Sequence, residues 1–232
     1  MAINEKLLIQ EVESDPSLIL SLDATDSNSY NGSGNVWYDV SGNGNDAIIS
    51  NVTWSGASYF SFNGSTSKVD LQQSFFNNVS QASYTAWVYF DNLNTQNFIV
   101  FPDSGTTGHG FGFFDFGNGE VYFQSDNTSN SNRGYINNSG LYTAGQWTHF
   151  AMVFDGTATG NANRLKAYVN ASLLSLSFTG TIPSTTKSTT YDTLIGTRNV
   201  GGFSLTGDMS KVKAYNKPLT QAEVTALYNE GR

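Results

Sequence analysis

The sequence predicts an all-β protein: a two-sheet antiparallel jelly-roll sandwich with one short C-terminal helix. Three observations carry this expectation. Residues 147–154 (WTHFAMVF) and 164–170 (RLKAYVN) repeat every two residues, the side-chain period of a strand. The first is apolar on both sides, as a central strand covered on both faces would be, and the second on one side only. Elsewhere short apolar runs recur between clusters of Gly, Asn, Ser and Thr, and a capped helical pattern appears only at the end of the chain.

Residues 1–16 (MAINEKLLIQEVESDP) stand apart as an N-terminal arm or lead-in, with no glycine and with apolar residues at 3, 7 and 8. Pro16 ends any helix there. Segment 17–23 (SLILSLD) reads as the first strand. Residues 24–46 are almost all turn formers, interrupted by Val36, Trp37 and Tyr38, and an ordered loop of that length needs something to hold it. Strands follow at 47–53, 58–62 and 67–71, the last two joined by an Asn63-Gly64 turn. SYTAWVYF (83–90) is a second fully buried strand. Strands at 97–101, 110–116 and 120–124 come next, then 133–136, the central pair, and 172–180. A Thr/Ser loop at 183–191 precedes strands at 192–196 and 208–215. Thr220 caps the helix with Glu223 at the capping-box spacing, Leu219 packs on Val224, and Gly231 stops it. Val224, Leu227 and Tyr228 form its buried stripe. With no linker or repeat, residues 17–232 read as one domain.

A chain of 232 residues buries a sizeable core without staples, and its lack of Cys removes disulfides and thiolate chemistry. Its 19 acidic and 11 basic residues give a net charge of −8, which argues against nucleic acid and anionic membranes as partners. No run approaches the roughly 18 apolar residues that span a bilayer, so no membrane insertion is expected. The opening lacks a cationic start followed by an apolar stretch, so a secretory signal is not expected either.

Glycosidase chemistry needs two carboxylates across the scissile bond. Glu5, Glu11 and Glu13 fall in the arm and Glu223 and Glu230 in the helix, which leaves Glu120 alone among the glutamates of the sandwich. The expectation is therefore a chain that is not an enzyme. His109 and His149 have no thiols to complete a zinc site, and His149 reads as structural. Trp147, His149, Phe150 and Phe154 read as the core against which the other sheet packs, Trp87 as a core residue of its buried strand, and Lys166, Tyr168 and Asn170 as the exposed face. Calcium takes hard oxygen donors, and Asp39, Asn43, Asn45 and Asp46 crowd one Gly-punctuated loop. Asx-turns are the competing account of those residues. For a ligand, aromatic rings stack on sugars while polar groups bond hydroxyls. The candidates are Tyr30 and Trp37 in the first long loop, His109 in the second, and Asp126, Asn127, Arg133 and Tyr135 in the third.

The segments LDATDSNSYNGSGNVWYDVSGNGNDA, SYTAWVYF, GQWTHFAMVFDG, LKAYVNA and GDMSKVKAYNKPLTQAEVTALYN follow in a familiar order and spacing. Together they resemble the laminin-G-like, concanavalin-A-like jelly-roll superfamily in its bacterial and phage-associated branch, over roughly residues 17–230. The resemblance implies a concave and a convex sheet, frequently a calcium ion near one rim, and binding of glycans or proteins. It brings Asp208, at the start of the last strand, to the calcium loop. The opening segment looks like domains carried beside phage tail and capsid proteins. The expected function is a virion decoration or attachment protein that binds cell-surface glycans. Its expected place is the virion surface, or otherwise outside a cell. Residues 1–16 would dock on other particle proteins, and sheet edges would allow a homo-oligomer. The alternatives are a calcium-dependent carbohydrate-binding module and, distantly, a glycoside hydrolase.

Overall fold

The computed structural model describes residues 15–56, 58–93, 97–102, 110–117, 120–125, 132–137, 140–198 and 204–232. Residues 1–14 of the arm, and the candidates His109, Asp126 and Asn127, lie outside them.

The first third of the chain forms β1 (Leu18–Asp23), β2 (Val36–Trp37), β3 (Ala47–Ser50), β4 (Thr53–Trp54), β5 (Phe60–Asn63) and β6 (Lys68–Asp70). The middle forms β7 (Gln81–Phe90), β8 (Asn97–Pro102), β9 (Phe111–Asp115), β10 (Glu120–Ser125), β11 (Arg133–Asn137) and β12 (Trp147–Asp155). A one-turn helix α1 (Asn161–Arg164) leads into β13 (Leu165–Val169), β14 (Ser172–Leu173), β15 (Ser177–Thr179), β16 (Thr193–Ile195), β17 (Thr206–Tyr215) and α2 (Gln221–Asn229).

Among the described residues these strands make two antiparallel sheets. Sheet A has 8 strands, in the order β14-β13-β12-β7-β17-β5-β4, with β1 also paired to β17. Sheet B has 9, in the order β15-β11-β10-β9-β8-β16-β6-β3-β2. This is the jelly-roll sandwich that the period-two segments imply. Between the sheets lie Tyr84, Ala86, Val88 and Phe90 of β7, Phe150, Met152 and Phe154 of β12, and Phe111, Phe113 and Phe123 of sheet B. Phe113 meets Phe150 at 6.0 Å between ring centroids, and Phe111 meets Phe154 at 5.8 Å. Each such side chain contributes about 1.5–3 kcal/mol on burial.

The opposite face of sheet A has a different cover. Ala151 and Val153 of β12 join Leu18, Tyr168 and Tyr215 in a second cluster beneath Leu219, Val224 and Leu227. Trp87 stacks on Tyr228 of α2 at 5.6 Å, and His149 lies 5.3 Å from Trp87. The expectation that Trp147 and His149 face the other sheet is thus corrected. Only Phe150 and Phe154 do, because successive residues of one strand point to opposite faces, which places Trp147 and His149 on the side away from sheet B. Tyr168, expected to be exposed, is buried by the same helix. Lys213 of β17 pairs with Glu230 at 2.7 Å just beyond the helix. Burial, together with the Lys213 charge, holds the His149 imidazole down to about 3.

The helix begins as its sequence requires. Thr220 Oγ1 accepts from Glu223 N at 3.3 Å, and Glu223 Oε2 accepts from Thr220 N at 2.6 Å. Gly231, with φ at 75°, lies just beyond its end. Among the described residues, no helix is long and apolar enough to cross a membrane.

Candidate functional site

Sheet B turns Phe111, Phe113, Val121 and Phe123 inward, so the residues between them point out. Register then builds a row across four strands. Phe114 of β9 lies opposite Tyr122 of β10, Tyr122 opposite Tyr135 of β11, and Tyr135 opposite Ser177 of β15. Phe114, Phe116, Tyr122 and Tyr135 form an apolar cluster separate from the main core. Tyr122 takes Phe114 edge-on at 5.4 Å and Tyr135 edge-on at 6.1 Å, with Phe116 tilted against it at 4.9 Å.

Charged groups flank the rings. The Arg133 guanidinium sits 4.3 Å from the centre of the Tyr122 ring. Its Nε is buried without a hydrogen-bond partner among the described residues. On the other side the Tyr122 hydroxyl donates to Glu120 Oε2 at 2.5 Å. Burial raises the Tyr122 phenol above its usual range, the Glu120 bond adds to that, and the Arg133 charge opposes it. Phe114 and Tyr122 are buried, whereas Phe116, Tyr135, Arg133 and Glu120 are half-buried and reachable from solvent. Ring edges with a guanidinium on one side and a carboxylate on the other can hold a flat polar ring and bond its hydroxyls.

Of the sequence candidates, the structure brings Arg133 and Tyr135 together. Tyr30 and Trp37 are corrected. Both are buried, Tyr30 at 4.8 Å and Trp37 at 4.8 Å from the Phe60 ring, and the Tyr30 hydroxyl donates to Gly34 O. They pin the long first loop to the core, so neither presents a ring to a ligand. Phe114, Phe116, Tyr122 and Glu120 escaped the sequence reading. The signal was there in GFGFFDF, which puts phenylalanines on both faces of one strand where a single core face would take only alternate ones.

The Asp39 loop gathers four of the five expected calcium ligands but spends them on itself. Asp39 Oδ1 accepts from Ser21 N and Ser41 N at 2.8 and 2.9 Å. Its Oδ2 accepts from Ser41 Oγ and Asn45 N at 2.8 and 3.0 Å. Those four bonds fill the lone pairs of a carboxylate. Asp46 Oδ1 accepts from Asp39 N, and Asn45 Oδ1 from Gln73 Nε2. Asn43 and Asn45 donate to the carbonyls of Leu18 and Ile19. Asp208 has other company, bonded to Ser61 and within the charge fields of Asp91 and Arg232. These residues fit a network of side-chain-to-backbone bonds and do not fit a calcium cage. Elsewhere an open concavity of about 410 Å³ is lined chiefly by Leu165, Leu173, Leu174, Leu176 and Phe178. It lacks the alternation of rings and charges found on sheet B.

The profile of a laminin-G family described as the concanavalin A-like lectin/glucanases superfamily matches residues 63–225. The chain belongs to that superfamily. Solved structures agree on the superfamily fold. Trypanosoma rangeli sialidase in complex with sialic acid superposes with a TM-score of 0.63 at 16% identity, covering 91% of this chain and 32% of the sialidase. The receptor binding domain of botulinum neurotoxin D gives 0.64 at 16% identity, covering 94% of this chain and 53% of that one. This chain therefore spans about a third of the sialidase and about half of the toxin domain. No curated protein matches it in sequence. One expectation is overturned by these neighbours. The count of glutamates led to a chain that is not an enzyme, yet sialidases stand among the structures that share the fold. Superfamily folds of this kind occur in enzymes and in binding domains alike, so a shortage of glutamates in the sandwich does not exclude catalysis.

Proposed function

We propose that this chain recognises glycans through the outer face of sheet B. The observation that carries the reading is the row Phe114–Tyr122–Tyr135, with Arg133 over the Tyr122 ring and Glu120 on its hydroxyl. A sugar ring set against Tyr135 and Phe116 meets aromatic edges, while the Arg133 guanidinium and Glu120 carboxylate bond its hydroxyls. A sialidase in complex with sialic acid, a third of which superposes on this chain, and a toxin's receptor binding domain stand among the structural neighbours, and the first of them supports a sugar as the ligand class. The setting we propose is the surface of a phage-like particle, with residues 1–16 docked on its other proteins. The opening segment's likeness to domains of phage tails and capsids supports this.

A glycan array tests the site. The wild-type chain should bind a defined subset of glycans, and Tyr135→Ala or Arg133→Ala should weaken it about tenfold, as loss of one stacking or charge-assisted contact implies. Both side chains are half-exposed, so the melting midpoint should hardly move. An empty array would sink the reading, and full binding by both variants would move the site elsewhere. Immunogold electron microscopy of particles from the native source tests the setting, with labelled virions expected and label confined to free protein fatal to it.

A further inference from the structure

Sheet A carries a second in-register row, on the face turned away from sheet B. Trp147 of β12 lies opposite Tyr89 of β7, Tyr89 opposite Asp208 of β17, and Asp208 opposite Ser61 of β5. Directly paired residues share a face, so these four side chains stand side by side. Tyr59, just before β5, meets Trp147 edge-on at 5.6 Å, and Tyr89 lies tilted against it at 5.7 Å. Into this corner comes Arg232, three residues beyond the end of α2 at Asn229. Its guanidinium carbon lies 4.7 Å from the centre of the Trp147 ring and 5.9 Å from that of Tyr59. Nη1 donates to Ser58 Oγ at 3.3 Å. Asp208, which stands in this row, feels the charges of both Arg232 and Asp91.

We propose that this corner is a recognition site for a cationic side chain, an arginine supplied by a partner protein, and that Arg232 fills it in the free chain. The seated guanidinium shows the chemistry the corner accepts. Aromatic faces attract a cation through their quadrupoles, and the two aspartates add charge of the right sign in a chain of net charge −8. Arg232 is exposed, so its hold is exchangeable. A partner's arginine makes the same ring contacts once Arg232 swings out, and it also meets Asp208 and Asp91. The site is independent of the glycan face on sheet B and stands or falls separately.

The probe is N-acetyl-arginine methylamide, with the neutral citrulline analogue of the same shape as its control, followed by NMR shifts of the Trp147 and Tyr59 ring protons. In Arg232→Ala the arginine probe should give saturable shifts at concentrations about fivefold lower than in the wild type, because no internal cation competes. The added change Asp208→Asn should weaken that response. Arg232→Gln, which keeps most of the stem, repeats the test should Arg232→Ala fold poorly. An absence of saturable shifts in both variants overturns the proposal. So does an equal response to the citrulline analogue or to a neutral hexose, since either removes the need for charge.

Discussion

Asp115 of β9 is fully buried, with Oδ1 accepting from Gly117 N at 2.9 Å and Oδ2 facing Asn97 Nδ2 at 3.4 Å. Burial raises its carboxyl to about 6, and the two bonds only partly oppose that. An unfolded Asp titrates near 3.8, so between the two values the native chain holds more proton than the unfolded one. Stability then falls as pH rises from about 4 to 6, by an amount on the order of 3 kcal/mol for a shift of this size. His149 works the other way. Its imidazole is held down to about 3 by burial and by the Lys213 charge, so stability falls as pH drops through the window from 6.5 towards 3. Asp115→Asn mimics the protonated acid and removes the first effect alone. In urea unfolding the variant should match the wild type near pH 4 and exceed it above pH 6 by up to about 3 kcal/mol. Parallel curves for the two proteins across that range would show that Asp115 does not titrate as its burial implies.

Among the elements, the loop between β1 and β3 shows most clearly what holds irregular backbone in place. Asp39 alone accepts four bonds, and Tyr30 and Trp37 anchor the loop from the apolar side. Asp39→Ala leaves those donors unmet and should cost roughly 3 kcal/mol, read as a lower melting midpoint. Because the loop is held by its own chain, a chelator should leave the wild-type midpoint where it is. A drop on adding chelator would reveal a bound ion and overturn this account. The same elements show what a sequence can say. β12 and β7 were legible because period two is local, and α2 because a capping box spans only three residues. Period two tells which residues share a face but not what covers it. The cover of His149 is α2, far along the chain, so nothing local to β12 tells which side its imidazole takes. A place in a loop suggests exposure for Tyr30 and Trp37, although a long loop needs apolar anchors, and these two rings supply them. The row on sheet B was half visible for a related reason. Arg133 and Tyr135 stand out as a charge and a ring in a polar neighbourhood, while Phe114 and Tyr122 look like core until register aligns them on the outer face.

At the scale of the whole molecule the fold closes by joining its ends: β1 pairs with β17, from Leu20↔Ala214 to Asp23↔Lys211. Leu18, Leu20 and Leu22 are buried there, and each contributes about 1.5–3 kcal/mol. Their sum rivals the 5–15 kcal/mol that holds a typical domain together. Just before β1, Asp15 pairs with Lys217, which also holds Glu223 of the capping box at 2.6 Å. The folded body therefore needs the chain from Asp15 onward, and the docking role proposed for the arm can be tested by a cut that spares Asp15. Removing residues 1–14 should leave the melting midpoint and glycan binding unchanged while abolishing association with particles. Removing residues 1–23 takes away β1 and the Asp15 pair, and calorimetry should then show no cooperative transition. A midpoint several degrees lower after the shorter cut would place the arm within the fold and count against its docking role. Unchanged association with particles after that cut would end the docking role outright.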